Sequence, residues 1–415
     1  MNHSHNRANG RFGRLTDPKT CSRADLQEAA QLAMQVEFST IPVYLTGLYS
    51  ISQPDSEAYQ ALRSVVVEEM FHLNQAANLL VGIGGTPRFT GEYAPSYPGY
   101  LPHANPKTTP YLGLLRASSD VFEGLYAAIE TPAPADAPPQ GDNYDSIGQL
   151  YAALEQALID YPDQSGLFVP ADSTRQRTDI YLGKFGGKPV EVIDLETATA
   201  GIHEIVKQGE GSVPQGQAYV PIEPFGVYNH YGMRTDGTYG PIIGTPYELS
   251  HFAKFRKVAL AAGNFPTTYP IVSNPNDSDF AGDDKQLARQ RAAVFDCAYS
   301  VMLQHMELSF QQPKSADAPD PYFTVALHIM HHTMPKLALN LMSQPLSDQG
   351  DSGNGPNGAP MYRYDETASL PRLYAAIDQL IAGTKQSKLE PSQRTQQVES
   401  LHDTLKQVRQ LPICE

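Results

Sequence analysis

The segment Val-Val-Val-Glu-Glu-Met-Phe-His-Leu, residues 65–73, decides the fold. It contains an E-x-x-H pair, Glu69 and His72, which recurs as Glu248 and His251 in Glu-Leu-Ser-His-Phe. Side chains three residues apart on a helix lie on one face about one turn apart, so this carboxylate and imidazole can reach one ion. In four-helix carboxylate proteins, two helices each supply such a pair and two others each supply a Glu. The pattern therefore predicts a four-helix bundle with a metal site that needs two more Glu ligands.

Apolar residues recur with the period of an α-helix along most of the chain. Two pairs of such segments predict helical hairpins, a first over 25–50 and 57–82 and a second over 194–208 and 246–262. Further helices are predicted over 111–129, 145–160, 285–311, 321–343, 367–384 and 391–410. The fold class is therefore mainly α, a four-helix bundle with long loop insertions and additional C-terminal helices.

Composition divides the chain into three predicted regions. A polar N-terminal arm covers 1–24, and a metal-binding domain covers 25–345. This domain carries insertions at 86–193 and 211–245, which are rich in Pro, Tyr and Gly. A C-terminal helical extension covers 346–415.

The charge and the cysteines restrict the partners and the ligands. A net charge of −15 argues against nucleic acid and acidic membrane surfaces, so a small-molecule substrate is expected. The chain opens on a polar stretch and has no apolar run of about 18 residues, which predicts a soluble, cytoplasmic protein without membrane contact. Cys21, Cys297 and Cys414 are too widely spaced for a disulfide framework or a zinc ribbon. Any metal is therefore expected to be bound by Glu and His.

Helical phasing selects ligands on the first two helices. At about 100° per residue, Glu37 falls within about 20° of Leu26, inside the apolar stripe of its helix. An unpaired charge there is costly, so Glu37 is either a metal ligand or a buried Glu paired with an Arg or a Tyr hydroxyl. Glu69 falls inside the stripe of the second helix, whereas Glu68 lies about 100° away. Tyr44, two turns beyond Glu37, is expected either to donate a hydrogen bond at the site or to be a core residue.

Helical phasing selects ligands less clearly on the third and fourth predicted helices of the bundle. Glu204 falls on the polar side of the third helix, whereas Glu210 returns to the inner side if the helix continues through the adjacent glycines. Glu210 is preferred and Glu204 is the alternative. Glu248 and His251 lie with the apolar stripe of the fourth helix, although Glu248 is equally suited to satisfy free N–H groups at a helix start. His328, His331 and His332 share another helix, and surface or core histidines explain them as well as a metal does.

The predicted set is chemically specific. Four carboxylates and two imidazoles suit iron, with manganese or zinc as alternatives, and one or two ions. The predicted ligands are Glu37, Glu69, His72, Glu210, Glu248 and His251.

Several of these segments together resemble a known family. The chain is similar to the ferritin-like domain of the iminophenyl-pyruvate dimer synthase family, which also occurs in the violacein-pathway enzyme and in chromopyrrolate synthases. The resemblance spans roughly residues 25–345 and rests on Glu37-Phe-Ser-Thr-Ile-Pro-Val-Tyr-Leu, Leu48-Tyr-Ser-Ile, Glu68-Glu-Met-Phe-His-Leu, Gly84-Gly-Thr-Pro-Arg-Phe, Gln208-Gly-Glu-Gly and Ser250-His-Phe-Ala-Lys-Phe. It implies a ferritin-like fold, the ligand set above, and Glu210 rather than Glu204.

The resemblance also implies an activity. Members of the family use iron or a related metal in the oxidative coupling of aryl-pyruvate imines, although the chromopyrrolate synthases are much longer than this chain. We therefore expect a non-haem metal oxidoreductase of secondary metabolism that uses dioxygen or peroxide. Glu37, Glu69, His72 and Tyr44 are expected at its active site. A homodimer is one expected assembly. The alternative is a ferritin-like iron-binding or storage protein without an organic substrate. A third interpretation is a helical scaffold with buried ion pairs.

Overall fold

The computed structural model of the protein describes residues 15, 21–131, 144–178, 189–209, 249–261, 263, 265–315 and 318–412. Within these ranges the chain is helical, with no strand beyond isolated bridges. The helices of more than six residues are α1 (Arg23–Ser50), α2 (Glu57–Gly82), α3 (119–129), α4 (Ile147–Ile159), α5 (Leu195–Gln208), α6 (His251–Leu260), α7 (Gln286–Gln311), α8 (321–342), α9 (Leu370–Gln386) and α10 (Pro391–Val408). The predicted mainly α class is therefore confirmed. Of the described helices, none is long and apolar enough to cross a bilayer.

Helix α1 lies at the centre of the molecule. It begins at a capping box, in which the Ser22 side chain accepts from the Asp25 N–H and the Asp25 carboxylate accepts from the Ser22 N–H. Every residue from Val36 to Leu48 is buried, so this part of α1 has no solvent face. A helix that is enclosed on all sides needs partners all round it. Helices α2, α4 and α8 supply them.

The helices around α2 differ from the predicted arrangement in one respect. Helix α5 packs on α2 and α4, whereas α6 packs on α2 and α3. The prediction of a second hairpin between 194–208 and 246–262 is therefore wrong for the described residues, because the short helix α3 of the first insertion occupies the flank of α6. Helix α3, which belongs to the first insertion, therefore packs within the bundle.

Two of the described helices contain π-helical turns. In α3 the turn is Phe122–Tyr126, and in α8 it is Ile329–Thr333. The second has a covalent cause, since Pro335 has no N–H to donate to the carbonyl of residue 331 and its ring crowds that carbonyl. Single π turns inside α-helices often mark functional positions.

Residues beyond 346 pack on the rest of the chain. Helix α9 lies against α7, and α10 lies against α8 and α9. Leu373, Ile377 and Leu405 are buried in the same apolar cluster as the residues of α1 and α2. The C-terminal helices therefore contribute to the main core.

The buried carboxyl of Asp296, on α7, should make the stability of the protein depend on pH. Burial raises the pKa of this carboxyl to about 7, against the opposing effects of Arg363 and the Tyr362 backbone N–H. The folded protein therefore holds a proton that the unfolded chain releases, so this group's contribution to the free energy of unfolding falls as pH rises from about 4 to about 7. We expect Asp296→Asn to match wild type near pH 4 and to be more stable at pH 8, by about 1.4 kcal/mol per unit of pKa shift removed.

Urea unfolding at both pH values measures this difference. Asp378→Asn, at a half-exposed carboxylate that pairs with Arg409, serves as the control and should show no such change with pH. A stability difference between Asp296→Asn and wild type that stays constant from pH 4 to pH 8 would contradict the assignment.

Candidate metal centre

Four of the predicted ligands converge between α1, α2 and α6. Donor atoms of Glu69, His72 and His251 all lie within 4.8 Å of one another, and all three side chains are buried. Glu69 stands in the middle: its Oε1 is 3.8 Å from His72 Nδ1 and 2.8 Å from His251 Nδ1. Glu37 Oε2 lies 3.6 Å from His72 Nδ1 on the far side. The two imidazoles stack with centroids 5.2 Å apart, so the group is one compact cluster.

A fifth residue, the carboxylate Glu130, completes the other side of the cluster. It follows the last turn of α3, is 2% exposed, and places Oε2 3.6 Å from His251 Nδ1. The Tyr44 hydroxyl donates to Glu130 Oε1 at 2.5 Å. Tyr44 is thus a hydrogen-bond donor at the site, as one of its two predicted roles required. The sequence analysis missed Glu130, although it stands one turn beyond the buried Tyr126.

The predicted ligands on the third and fourth helices of the bundle fall only partly within the described residues. Glu210 and Glu248 lie outside the described residues and stay predictions. Gly209, the residue before Glu210, lines the centre, where an added Cβ would be 3.7 Å from Glu130 Oε2 and 4.0 Å from His72 Cε1. Glu204 is half-buried and does not line the small cavity beside the centre.

Glu68 requires a correction. Helical phasing placed it away from the interior, but it is 1% exposed. Its Oε2 accepts from His251 Nε2 at 2.8 Å and from Lys254 Nζ at 2.6 Å. The physical reason is that α6 covers this flank of α2 and supplies both donors. The prediction that Glu69 faces the interior holds, and Glu68 is buried beside it.

Both histidines present the same ring nitrogen to the centre. His72 Nε2 is 3.1 Å from Gln208 Oε1, and His251 Nε2 is 2.8 Å from Glu68 Oε2. An oxygen acceptor at Nε2 favours the tautomer that carries its proton there and leaves Nδ1 as a free donor atom. Histidine ligands of metals are held in this way by partners behind them. Each ring is therefore oriented to bind an ion through Nδ1.

The electrostatics of the cluster favour a cation. Burial, with the charge of Glu130, raises the pKa of Glu69 to about 8. For Glu37, burial acts upward, but the hydrogen bond and the charge of His72 outweigh it and lower the pKa. Burial likewise opposes ionisation of His251, yet its contacts with Glu130, Glu68 and Glu69 hold its pKa well above the usual value. Four carboxylates, each at most 2% exposed, thus share a site where one holds a proton at neutral pH.

The donor set fits a metal ion. Glu37 Oε1 is buried without a hydrogen-bond partner of normal geometry among the described residues, although the Tyr151 hydroxyl lies close enough for Glu37 to help raise its pKa. Thr40 donates to Glu69 Oε2 at 2.8 Å, which leaves Oε1 for the histidine side. Carboxylate oxygens with imidazole nitrogens suit iron and manganese, and zinc also accepts them. Glu37, Glu69, His72, Glu130 and His251 are the residues placed to bind it.

A small cavity adjoins the cluster on the side of α4 and α5. Its volume is about 10 Å³, and its walls include Glu37, Ile147, Tyr151 and Val206. Roughly this volume holds one water-sized molecule. Burial and the Glu37 charge keep the pKa of Tyr151 well above its usual value, so this phenol stays protonated beside the carboxylate. The cluster therefore has room for a small reactant next to its ligands.

The three histidines of α8 form no second group of metal-binding donors among the described residues. His328 and His332 lie with ring centroids 5.0 Å apart on α8. The group around Glu69 is the one set of three metal-binding donors found in the ranges that the structure describes. The three histidines of α8 are therefore best explained without a metal.

Comparison with known proteins agrees with this geometry. The profile of the ferritin-like family matches residues 30–260, which is more than half of the chain and includes every residue of the cluster. The chain belongs to the ferritin-like family. A ferritin-like protein of known structure from Caulobacter vibrioides superposes with a TM-score of 0.53 at 19% identity, covering 82% of this chain and 97% of that one. The ferritin-like fold expected from the sequence is thereby confirmed.

A second relative of this ferritin-like chain is an enzyme. The 2-imino-3-(indol-3-yl)propanoate dimerase of Chromobacterium violaceum is 23% identical over 87% of this chain. The match covers 37% of the dimerase, so this chain spans little more than a third of that protein's length. The expected resemblance to the imine-dimerising enzymes is therefore confirmed in sequence.

Proposed function

We propose that this ferritin-like chain is a metal-dependent oxidative enzyme with non-haem iron as its native metal. The observation that carries the proposal is the orientation of His72 and His251, whose Nδ1 atoms both face Glu69 while their Nε2 atoms are held from behind. A scaffold of buried ion pairs requires no such arrangement. A metal site does, because ligands bind well only when their outer partners fix them.

The substrate class is proposed from the relative. The Chromobacterium violaceum protein is named for dimerising an indole-bearing imino acid, and we infer that this chain couples two molecules of a similar aryl-pyruvate imine. Formation of one C–C bond between two such molecules, in their enamine form, releases two protons and two electrons. Dioxygen accepts them and becomes hydrogen peroxide, or peroxide accepts them and becomes two waters. The bound metal supplies the electron transfer to the oxidant.

The residues of the chain have distinct tasks in this proposal. Glu37 of α1 with Glu69 and His72 of α2 would bind the ion, together with Glu130 at the end of α3 and His251 of α6. Tyr44 holds the carboxylate of Glu130 in place through its 2.5 Å hydrogen bond. The buried surroundings exclude water, which strengthens every charge interaction in the centre. Gln208 and Glu68 keep the imidazoles in the binding tautomer.

Two measurements test the proposal. Elemental analysis of protein purified without chelator should find one or two ions of iron per chain. Incubation with indole-pyruvate, ammonia and peroxide should then give a product with the mass of two imines minus two hydrogens. Chelator-treated protein should lose this product and regain it with ferrous iron. Protein free of stoichiometric metal would refute the metal centre, whereas metal-loaded protein that forms no dimer would refute the substrate class alone.

A further inference from the structure

A second cavity lies on the side of α1 that faces α7 and α8. It has a volume of about 60 Å³ and is bounded by α1, α2, α7 and α8. It shares no wall residue with the small cavity beside Glu37 and Glu69. Since a water needs roughly 10–15 Å³, this space corresponds to several waters, about the bulk of a compact aromatic molecule.

The wall of this cavity, here called the aromatic chamber, consists of rings and thioethers. Phe38 meets Phe89 nearly edge-on at 6.2 Å between centroids, and Tyr299 meets Tyr362 edge-on at 5.4 Å. Such arrangements leave ring faces and edges to which a further aromatic ring can add. Five methionines complete the wall, and their flexible side chains adapt to the outline of a guest. These are Met70, Met302, Met306, Met330 and Met334.

Two polar atoms in this apolar wall have no hydrogen-bond partner among the described residues. Asn74 donates through Nδ2 to the Arg177 carbonyl at 2.8 Å, which identifies the other amide atom as the oxygen. That atom, Asn74 Oδ1, and the Tyr299 hydroxyl are both buried without a hydrogen bond to any described residue. A buried acceptor without a donor is costly, and a guest with an N–H or O–H group would satisfy it.

The chamber has an entrance on α8. Phe323, Leu327 and Met330 are only partly buried, and His331 is exposed, although all four line the cavity. Met330 and His331 belong to the π turn that Pro335 induces. The widened turn thus stands where a guest would enter.

We propose that the aromatic chamber binds a compact aromatic molecule that carries one hydrogen-bond donor, of about the size of indole, through Asn74 Oδ1. This binding is independent of the metal centre and of the activity proposed above. Aromatic rings and the five thioethers would surround the guest, and its donor would satisfy Asn74 Oδ1, which has no hydrogen-bond partner among the described residues.

Calorimetric titration of the full chain with indole tests the proposal. We expect one saturable site, with binding about tenfold tighter than that of indene, which has the same outline but no N–H. Met330→Trp should fill the entrance and abolish binding. Leu339→Trp, at a position of α8 that is 49% exposed, is the matched control and should keep it. Glu69→Gln should also keep it, because the metal centre is separate.

Any one of the following results would overturn the proposal. The first is the absence of saturable indole binding to the wild-type chain. The second is binding that survives Met330→Trp in a variant whose thermal unfolding matches that of Leu339→Trp, or binding that Glu69→Gln abolishes. The third is equal affinity for indole and indene, which would remove the role of Asn74. Asn74→Leu provides the internal check, since it should bring the two affinities together.

Discussion

Replacing Glu69 with Gln is expected to empty the metal centre while the helices stay folded. Glu69 Oε1 faces the Nδ1 atoms of both His72 and His251, so one substitution removes the donor common to both sides. Loss of an outer partner typically weakens metal binding by about 10–100-fold, and loss of this central ligand should exceed about a hundredfold. Elemental analysis should therefore find less than about a tenth of the wild-type iron.

The fold should tolerate this substitution for a specific reason. Burial holds the pKa of Glu69 at about 8, so the metal-free protein already carries a neutral group there at pH 7, and Gln mimics it. Far-ultraviolet circular dichroism should match that of chelator-treated wild type. Glu123→Gln, at a largely exposed carboxylate on α3, is the matched control and should retain its iron. Full iron content in Glu69→Gln would mean that Glu69 is not a ligand of the ion.

Glu130→Gln should separate the centre seen in the structure from the one expected from the sequence. Glu130 supplies the carboxylate nearest to His251 Nδ1, other than Glu69, and Tyr44 fixes its orientation. We expect iron affinity to fall by about a hundredfold, since a ligand is lost and not merely an outer partner. Gln keeps an oxygen that can accept from Tyr44, so the packing around α3 should persist.

Titration with ferrous iron measures the affinity of Glu130→Gln, and the same titration of Glu210→Gln and Glu248→Gln completes the comparison. Both residues stay predicted ligands, and each single variant reports on one of them. If Glu130→Gln keeps the wild-type affinity for iron and Glu210→Gln loses much of it, Glu210 is the ligand and Glu130 is not. The ligand is then the one predicted from the Gln-Gly-Glu-Gly motif. Parallel losses in Glu130→Gln and Glu210→Gln would place both carboxylates at the ion.

The positions of the helices and four of the five residues placed at the centre were predictable from sequence. Helices α1 and α2 begin and end within two residues of the expected bounds, because each carries a long apolar stripe and a clear cap. Glu37 and Glu69 were found by the same phasing, since each falls inside its own stripe. Helical phasing compares the direction of a side chain only with the other side chains of its own helix.

That limit explains what was missed. Glu68 falls outside the stripe of α2, and nothing in α2 shows that α6 would cover its polar flank with His251 and Lys254. Glu130 follows a helix of eleven residues in an insertion rich in Pro and Gly, and no pattern in that insertion indicates a place inside the bundle. Both misses concern how separate segments pack on one another, and a single sequence carries little information about such contacts.

The spread of the cluster along the chain affects the order in which the protein can be assembled. Glu37, Glu69 and His72 leave the ribosome well before His251, which follows roughly 180 residues after His72. At about 5–20 residues per second, this interval lasts on the order of ten to forty seconds. During that time α1 and α2 lack the partner that covers Glu68 and closes the centre. Iron that enters a nascent chain before α6 is made would lack His251, so stable loading must follow translation of α6.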